Sequence, residues 1–311
     1  MHEQNISHVF LLGFPNLNNF NSLLFFFLLL IYCVTICGNV IIIFFVSISK
    51  NLHSPMYFFI TQVSLLDILM TTNILPNLLH IVLQDGASMS PAACLLQFYV
   101  FANCETSECL ILTVMSYDRY LAICNPLRYN AIINNAFCIK YVIASWLLSF
   151  FVLLVNEIEM YKLSFCGPKV IDHFFCDFLP ILELSCSDTS RIQIQATLFG
   201  IIIVICPFTM IIVSYMYIIT TILSIRSITG RQKAFSTCSS HLTVVCIYFG
   251  TIFSVYMVPS KGQLLEASKA LSLFYTVVTP LVNPFIYSLR NKDFKGAFER
   301  LKYHFQLLSF N

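Results

Sequence analysis

No Asp, Glu, Lys or Arg occurs between Glu3 and Lys50 of this 311-residue chain. An uncharged run of that length constrains the fold more than any motif does. In water it would expose apolar surface on every side, whereas about 20 such residues cross the hydrocarbon core of a bilayer as a helix. The pattern recurs down the chain. From Ser54 to Gln84 the one charge is Asp67, and between Asp85 and Asp118 there are Glu105 and Glu108. The stretches Lys140 to Glu157, Arg191 to Arg226, Lys233 to Lys261 and Lys269 to Arg290 carry charges only at their ends. Composition agrees, with 10% charged residues against about 25% in a typical soluble domain. The 30 Phe would leave a soluble fold of this size with large apolar patches. The expected fold class is an all-α membrane protein, a seven-transmembrane helix bundle. Its helices are expected over about 22–48, 55–83, 92–120, 137–159, 194–226, 233–259 and 267–290. Barrel strands need only about 9–11 residues and alternate in polarity, which these runs do not.

Charge placement orients the bundle. With residues 1–21 as an extracellular tail, the inner segments hold Lys50, Arg119, Arg128, Lys140, Arg226, Arg231, Lys233, Arg290, Lys292, Lys295, Arg300 and Lys302. The outer side keeps Lys162, Lys169, Arg191, Lys261 and Lys269. This is the positive-inside bias. The first 21 residues have no basic n-region, so no cleavable signal peptide is expected. Asn5 opens an Asn-Ile-Ser acceptor for glycosylation on the outer tail. Residues 291–311 form an inner tail, in which Phe294, Ala297, Phe298 and Leu301 recur at helical spacing. A short amphipathic C-terminal helix lying on the membrane surface is expected there.

The 13 Cys include no Cys-x-x-Cys pair, and most lie singly inside apolar runs, where a thiol acts as a small hydrophobe. Cys94, Cys166, Cys176 and Cys186 fall outside, in an oxidising compartment, which suggests two bridges. Spacing alone does not choose among the three pairings. The segment 160–193 is the one long connection, and it is expected to fold over the outer mouth of the bundle. A net charge of +2 gives no reason to expect a nucleic-acid partner.

Five motifs now stand on named spans: "GNV" (Gly38–Val40) in the first, "LHSPMYFFI" (Leu52–Ile60) opening the second, "MSYDRYLAICNPLRY" (Met115–Tyr129) closing the third, "KAFSTCSSHLTVV" (Lys233–Val245) opening the sixth and "PLVNPFIYSLRN" (Pro280–Asn291) closing the seventh. Together they resemble the odorant (olfactory) receptor family of rhodopsin-like G-protein-coupled receptors, over about residues 10–303. The resemblance implies a small-molecule odorant as ligand and a heterotrimeric G protein of the stimulatory olfactory type as partner, raising cyclic AMP from a plasma-membrane receptor in contact with lipid. Asp118, Arg119 and Tyr120 match the family's ionic switch. Asn283, Pro284 and Tyr287 match the switch of the seventh helix, and Tyr215 and His241 match further inner-half positions. The implied bridges are Cys94 with Cys176 and Cys166 with Cys186. Two departures stand out. Ser116 replaces the usual Ala before Tyr117-Asp118-Arg119. The sixth span reads Tyr248-Phe249-Gly250 where the family carries Phe-Tyr-Gly, which moves the hydroxyl about 100° around the helix.

The intramembrane acids divide by the same resemblance. Asp67 and Glu108 map onto an internal sodium or proton site, and a buried carboxyl needs such a cation or proton. A structural sodium there is the one cofactor expected. Glu105 lies outside the family motif, about 16 Å along the third helix from Cys94, near the floor of the ligand pocket in this receptor class. A ligand contact and a protonated acid satisfied by its neighbours are both open readings for it. The expected lining is Phe101, Ala102, Glu105, Thr106, Phe199, Ile202, Ile203, Thr251, Ile252, Val255, Tyr256 and Thr276, a mostly apolar wall suited to small volatiles. A transporter would need a polar path with related halves or broken helices. A membrane enzyme would need a nucleophile, metal cluster or phosphate loop beside the acids. The sequence offers none of these, and no enzymatic activity is expected.

Overall fold

The computed structural model describes residues 8–14, 20–166, 169–257 and 265–290, with Phe294, Gly296, Ala297, Glu299 and Arg300. For Thr237, Tyr256, Met257, Leu289 and Arg290 it describes the backbone alone. Strand β1 (Val9–Leu11) precedes α1 (Asn21–Ile48) and α2 (Pro55–Gln84). Strand β2 (Ala87–Met89) leads to α3 (Pro91–Cys124), short α4 (Pro126–Ile132) and α5 (Asn135–Tyr161). After β3 (Val170–Ile171) and α6 (Phe178–Glu183), the fifth span is composite: α7 (Ser190–Gly200), a π-helical turn (Ile201–Ile205) and α8 (Cys206–Ser224). The sixth is α9 (Ile228–Met257). The seventh is again composite: α10 (Leu265–Leu273), a π turn (Phe274–Val278) and α11 (Thr279–Arg290).

Among the described residues six of these helical spans are long and apolar enough to cross a membrane. The remaining long helix, α3, has 34 residues and is about 51 Å long; Glu105, Glu108 and Asp118 lower its hydropathy. Together they make a seven-helix bundle. Several helices outrun their apolar runs because their caps lie in the polar flanks. Ser90 accepts from the Ala93 N–H at 3.1 Å before α3, and Asn134 accepts from Phe137 at 2.9 Å before α5. Of the C-terminal amphipathic helix, Phe298 and Leu301 lie outside the described residues; Phe294 packs on Phe45.

In lipid, apolarity does not tell a helix which face to bury, because the solvent is as apolar as the core. The buried stripe of α1 makes the point: Leu28, Ile31, Thr35, Asn39, Ile42 and Val46 recur at helical spacing, and two of them are polar. Polar and small residues set the contacts. Ser107 of α3 meets Ser149 of α5 at 2.6 Å. Asn73 of α2 donates to the Gln97 carbonyl at 2.9 Å while Gln97 donates back to the Asn73 carbonyl at 3.1 Å. Pro284 has no N–H for the Pro280 carbonyl, and Asn39 of α1 supplies the missing donor at 3.3 Å. Gly38 permits that approach: a Cβ there would lie 3.1 Å from the Pro284 ring. Helix α3 sits centrally, packed on α2, α5, α8 and α9.

One end of the bundle carries a lid. β1 is the middle strand of a three-stranded sheet, antiparallel to β2 and parallel to β3. The segment after α5 folds inward, burying Phe174, Phe175 and Cys176. Cys176 is bonded to Cys94 at the start of α3, and Cys166 to Cys186 within the segment. Lys269 of α10, 0% exposed, fastens the lid from below. Its ammonium reaches Asp172 at 2.5 Å, Glu266 at 3.1 Å and the Gly13 carbonyl at 3.1 Å. His173 beside it is held neutral, its pKa lowered to about 3 by burial and then by the Lys269 charge.

Candidate functional site

Two polar centres lie on α3, with an acid cluster between them. Toward the lid, Glu105 is 8% exposed, and neither of its carboxylate oxygens has a hydrogen-bond partner among the described residues. Rings surround that turn. Phe101, one turn closer to the lid, packs on Phe175 at 5.1 Å and Tyr275 at 6.0 Å, and Tyr275 continues to Tyr248 at 6.5 Å. The displaced hydroxyl of the sixth span has found a use: Tyr248 donates to the Glu105 main-chain carbonyl at 2.7 Å. Phe249 is buried as well, against Phe208 and Phe253.

The expected lining does not all converge. Phe101, Ile203, Thr251, Ile252 and Thr276 are buried; Ala102, Thr106, Phe199 and Val255 are half-buried; the Tyr256 side chain lies outside the described residues. Ile202 is corrected: it is 61% exposed and faces away from the bundle. The cause is the π turn at Ile201–Ile205, whose extra residue rotates the face relative to a plain α-helix. Ile203 takes the inward position instead, and its carbonyl accepts from the Cys109 thiol at 3.2 Å. Sequence reasoning also missed Phe175 and Tyr275, and it marked Tyr248 only as a displaced hydroxyl. A second π turn carries Tyr275 and Thr276 inward together, and no residue in Phe-Tyr-Thr-Val-Val announces one.

Deeper along α3, Glu108 and Asp67 are fully buried with Asn283, which donates to both Asp67 oxygens at 3.2 Å. Glu108 Oε1 and Asn283 Oδ1 lack hydrogen-bond partners among the described residues. Buried carboxyls of this kind fit a hard cation or a shared proton. No group of three His, Cys, Asp or Glu able to hold a metal occurs among the described residues.

At the far end Asp118 is fully buried and ion-paired with Arg119, whose Nε donates at 2.8 Å. The Tyr129 hydroxyl from α4 donates to the other Asp118 oxygen at 2.7 Å. Tyr120 accepts from Asn125 at 3.3 Å. Across α8 and α9, Tyr215 and His241 stack and share a 2.7 Å hydrogen bond. Asn5 lies outside the described residues.

A seven-helix membrane bundle with a buried acid beneath a lid at one end and an Asp–Arg ion pair at the other has the architecture of the G-protein-coupled receptor class. The sequence signature described as olfactory receptor matches residues 28–304. The chain is 45% identical to human olfactory receptor 11L1 over 97% of its own length and 94% of that protein. It is 43% identical to human olfactory receptor 10A7, over 95% and 93% of the two chains. With mouse olfactory receptor 1M1 the identity is 40%, over 95% and 94%. The chain belongs to the olfactory receptor family, a family of receptors and not of enzymes.

Proposed function

We propose that this receptor binds small, mostly apolar volatiles in the chamber around Glu105 and activates a stimulatory olfactory-type G protein, raising cyclic AMP. One observation carries the reading. A single helix, α3, bears both the unpartnered Glu105 and the Asp118–Arg119–Tyr129 lock, about 21 Å apart along its axis. A ligand that binds better when the lock is open shifts the population toward the open state. Arg119, freed from Asp118, then meets the G protein. The reading places the lid and Asn5 outside the plasma membrane, with Asn5 glycosylated, and residues 291–311 inside. The buried oxygens of Asp67 and Glu108, with Asn283, would hold a sodium ion or a proton. Such an ion offsets the buried negative charge, and Asn283 orients the Asp67 carboxylate for it.

The test is a panel of volatiles on cells expressing the receptor, with cyclic AMP recorded in the presence and absence of the stimulatory G protein. The expected result is a response that vanishes without that G protein. A response that persists unchanged, or a ligand-gated current in its absence, would overturn the coupling.

A further inference from the structure

The chemistry around Glu105 goes beyond a general volatile pocket. Its two carboxylate oxygens are buried without a hydrogen-bond partner among the described residues, a costly arrangement for an anion unless something answers it. Among the described residues, buried Lys269 is engaged by Asp172 and Glu266, and half-buried Arg119 by Asp118. An ionised acid left without a cation among the described residues favours a cationic guest over a neutral or anionic one. Phe175, Phe101, Tyr275 and Tyr248 pack in one chain of rings, and Tyr248 reaches the Glu105 main-chain carbonyl; aromatic rings attract an ammonium in a desolvated site. The Cys94–Cys176 bridge holds buried Phe175 against Phe101, one turn from Glu105 on the lid side.

We infer that the chamber takes small aliphatic or arylalkyl amines, bound as ammonium ions. Their N–H groups sit on the Glu105 carboxylate, and their hydrocarbon lies among the rings. The inference rests on reading this chamber as the odorant site.

The experiment uses the full-length receptor in two arms. In lipid nanodiscs, thermal stabilisation is recorded with n-pentylamine, cyclohexylamine and benzylamine, and with 1-pentanol, cyclohexanol and benzyl alcohol as neutral counterparts. In cells, the same compounds are scored by G-protein activation per surface receptor. Each amine is expected to act at about 30-fold lower concentration than its alcohol, the scale of a buried charge pair. Glu105→Gln removes that preference and Glu105→Asp keeps part of it. Because the wild-type comparison needs no variant, a misfolded Glu105→Gln leaves the test intact. Alcohols equal to or better than amines, a preference that survives Glu105→Gln, or no stabilisation by any amine at millimolar concentration would each overturn the amine assignment. A response to neutral volatiles would then leave the receptor reading standing. Amine stabilisation with no G-protein activation by any compound would support the amine site and overturn the coupling instead.

Discussion

At the scale of single residues, the hydrogen bonds that join helices differ in what their loss exposes. Tyr248→Phe removes one interhelical bond, but the Glu105 carbonyl keeps its place in the α3 backbone ladder, so the cost is about 0.6 kcal/mol. Asn39→Ala removes the donor that replaces the one Pro284 lacks, leaving the buried Pro280 carbonyl alone at a cost of about 1–3 kcal/mol. Denaturant unfolding in detergent should therefore rank Asn39→Ala as the more damaging change. The reverse order would mean that Pro280 is otherwise satisfied. Asp67 and Glu108 were legible in the sequence because a charge in an apolar run stands out, and Arg119 and Asn283 through the motifs that resemble the family's. Phe175 and Tyr275 were not, since 30 Phe and 15 Tyr give an inward ring no mark of its own.

At the scale of elements, the helices were legible from charge gaps, but the two π turns were not. A π turn has no composition of its own; Ile201–Ile205 reads like any apolar helix. Yet it decides that Ile203 and not Ile202 faces α3. Deleting Ile202 removes the extra residue and closes the π turn into plain α-helix, so that α7 and α8 keep their faces while the inward bulge at Ile203 is lost. Surface expression should persist while the potency of any agonist falls by at least tenfold, read from a dose–response curve. An unchanged curve would show that the turn does not set the chamber.

At the scale of the whole molecule, the outer mouth is where sequence reasoning was thinnest. The segment 160–193 was legible as a cover, but the strand in the N-terminal tail was not, because three residues, Val9–Leu11, are too few to show alternation. The lid also titrates. Above pH 6.5 His173 is neutral whether the lid is closed or unfolded, and its contribution to stability is fully present. Between about 6.5 and 3 only the unfolded lid takes up the proton, so stability falls by up to about 1.4 kcal/mol per pH unit and is lost below about 3. Spin labels at positions 10 and 88, across β1 and β2, should report growing separation as pH drops from 7 to 4, and His173→Phe should flatten that response. A separation independent of pH in the wild type would refute the linkage. The order of the sheet has a consequence for biosynthesis. Its middle strand leaves the ribosome before the other two, and its parallel partner, beginning at Val170, is the last of the three. At about 5–20 residues per second the nascent strand waits roughly 10–30 s with one edge unpaired. Cys176 emerges only a few residues after β3, so the covalent staple and the completed sheet arrive together. Until then the newborn tail is open to chaperones, which makes the mouth a quality-control checkpoint on the finished receptor.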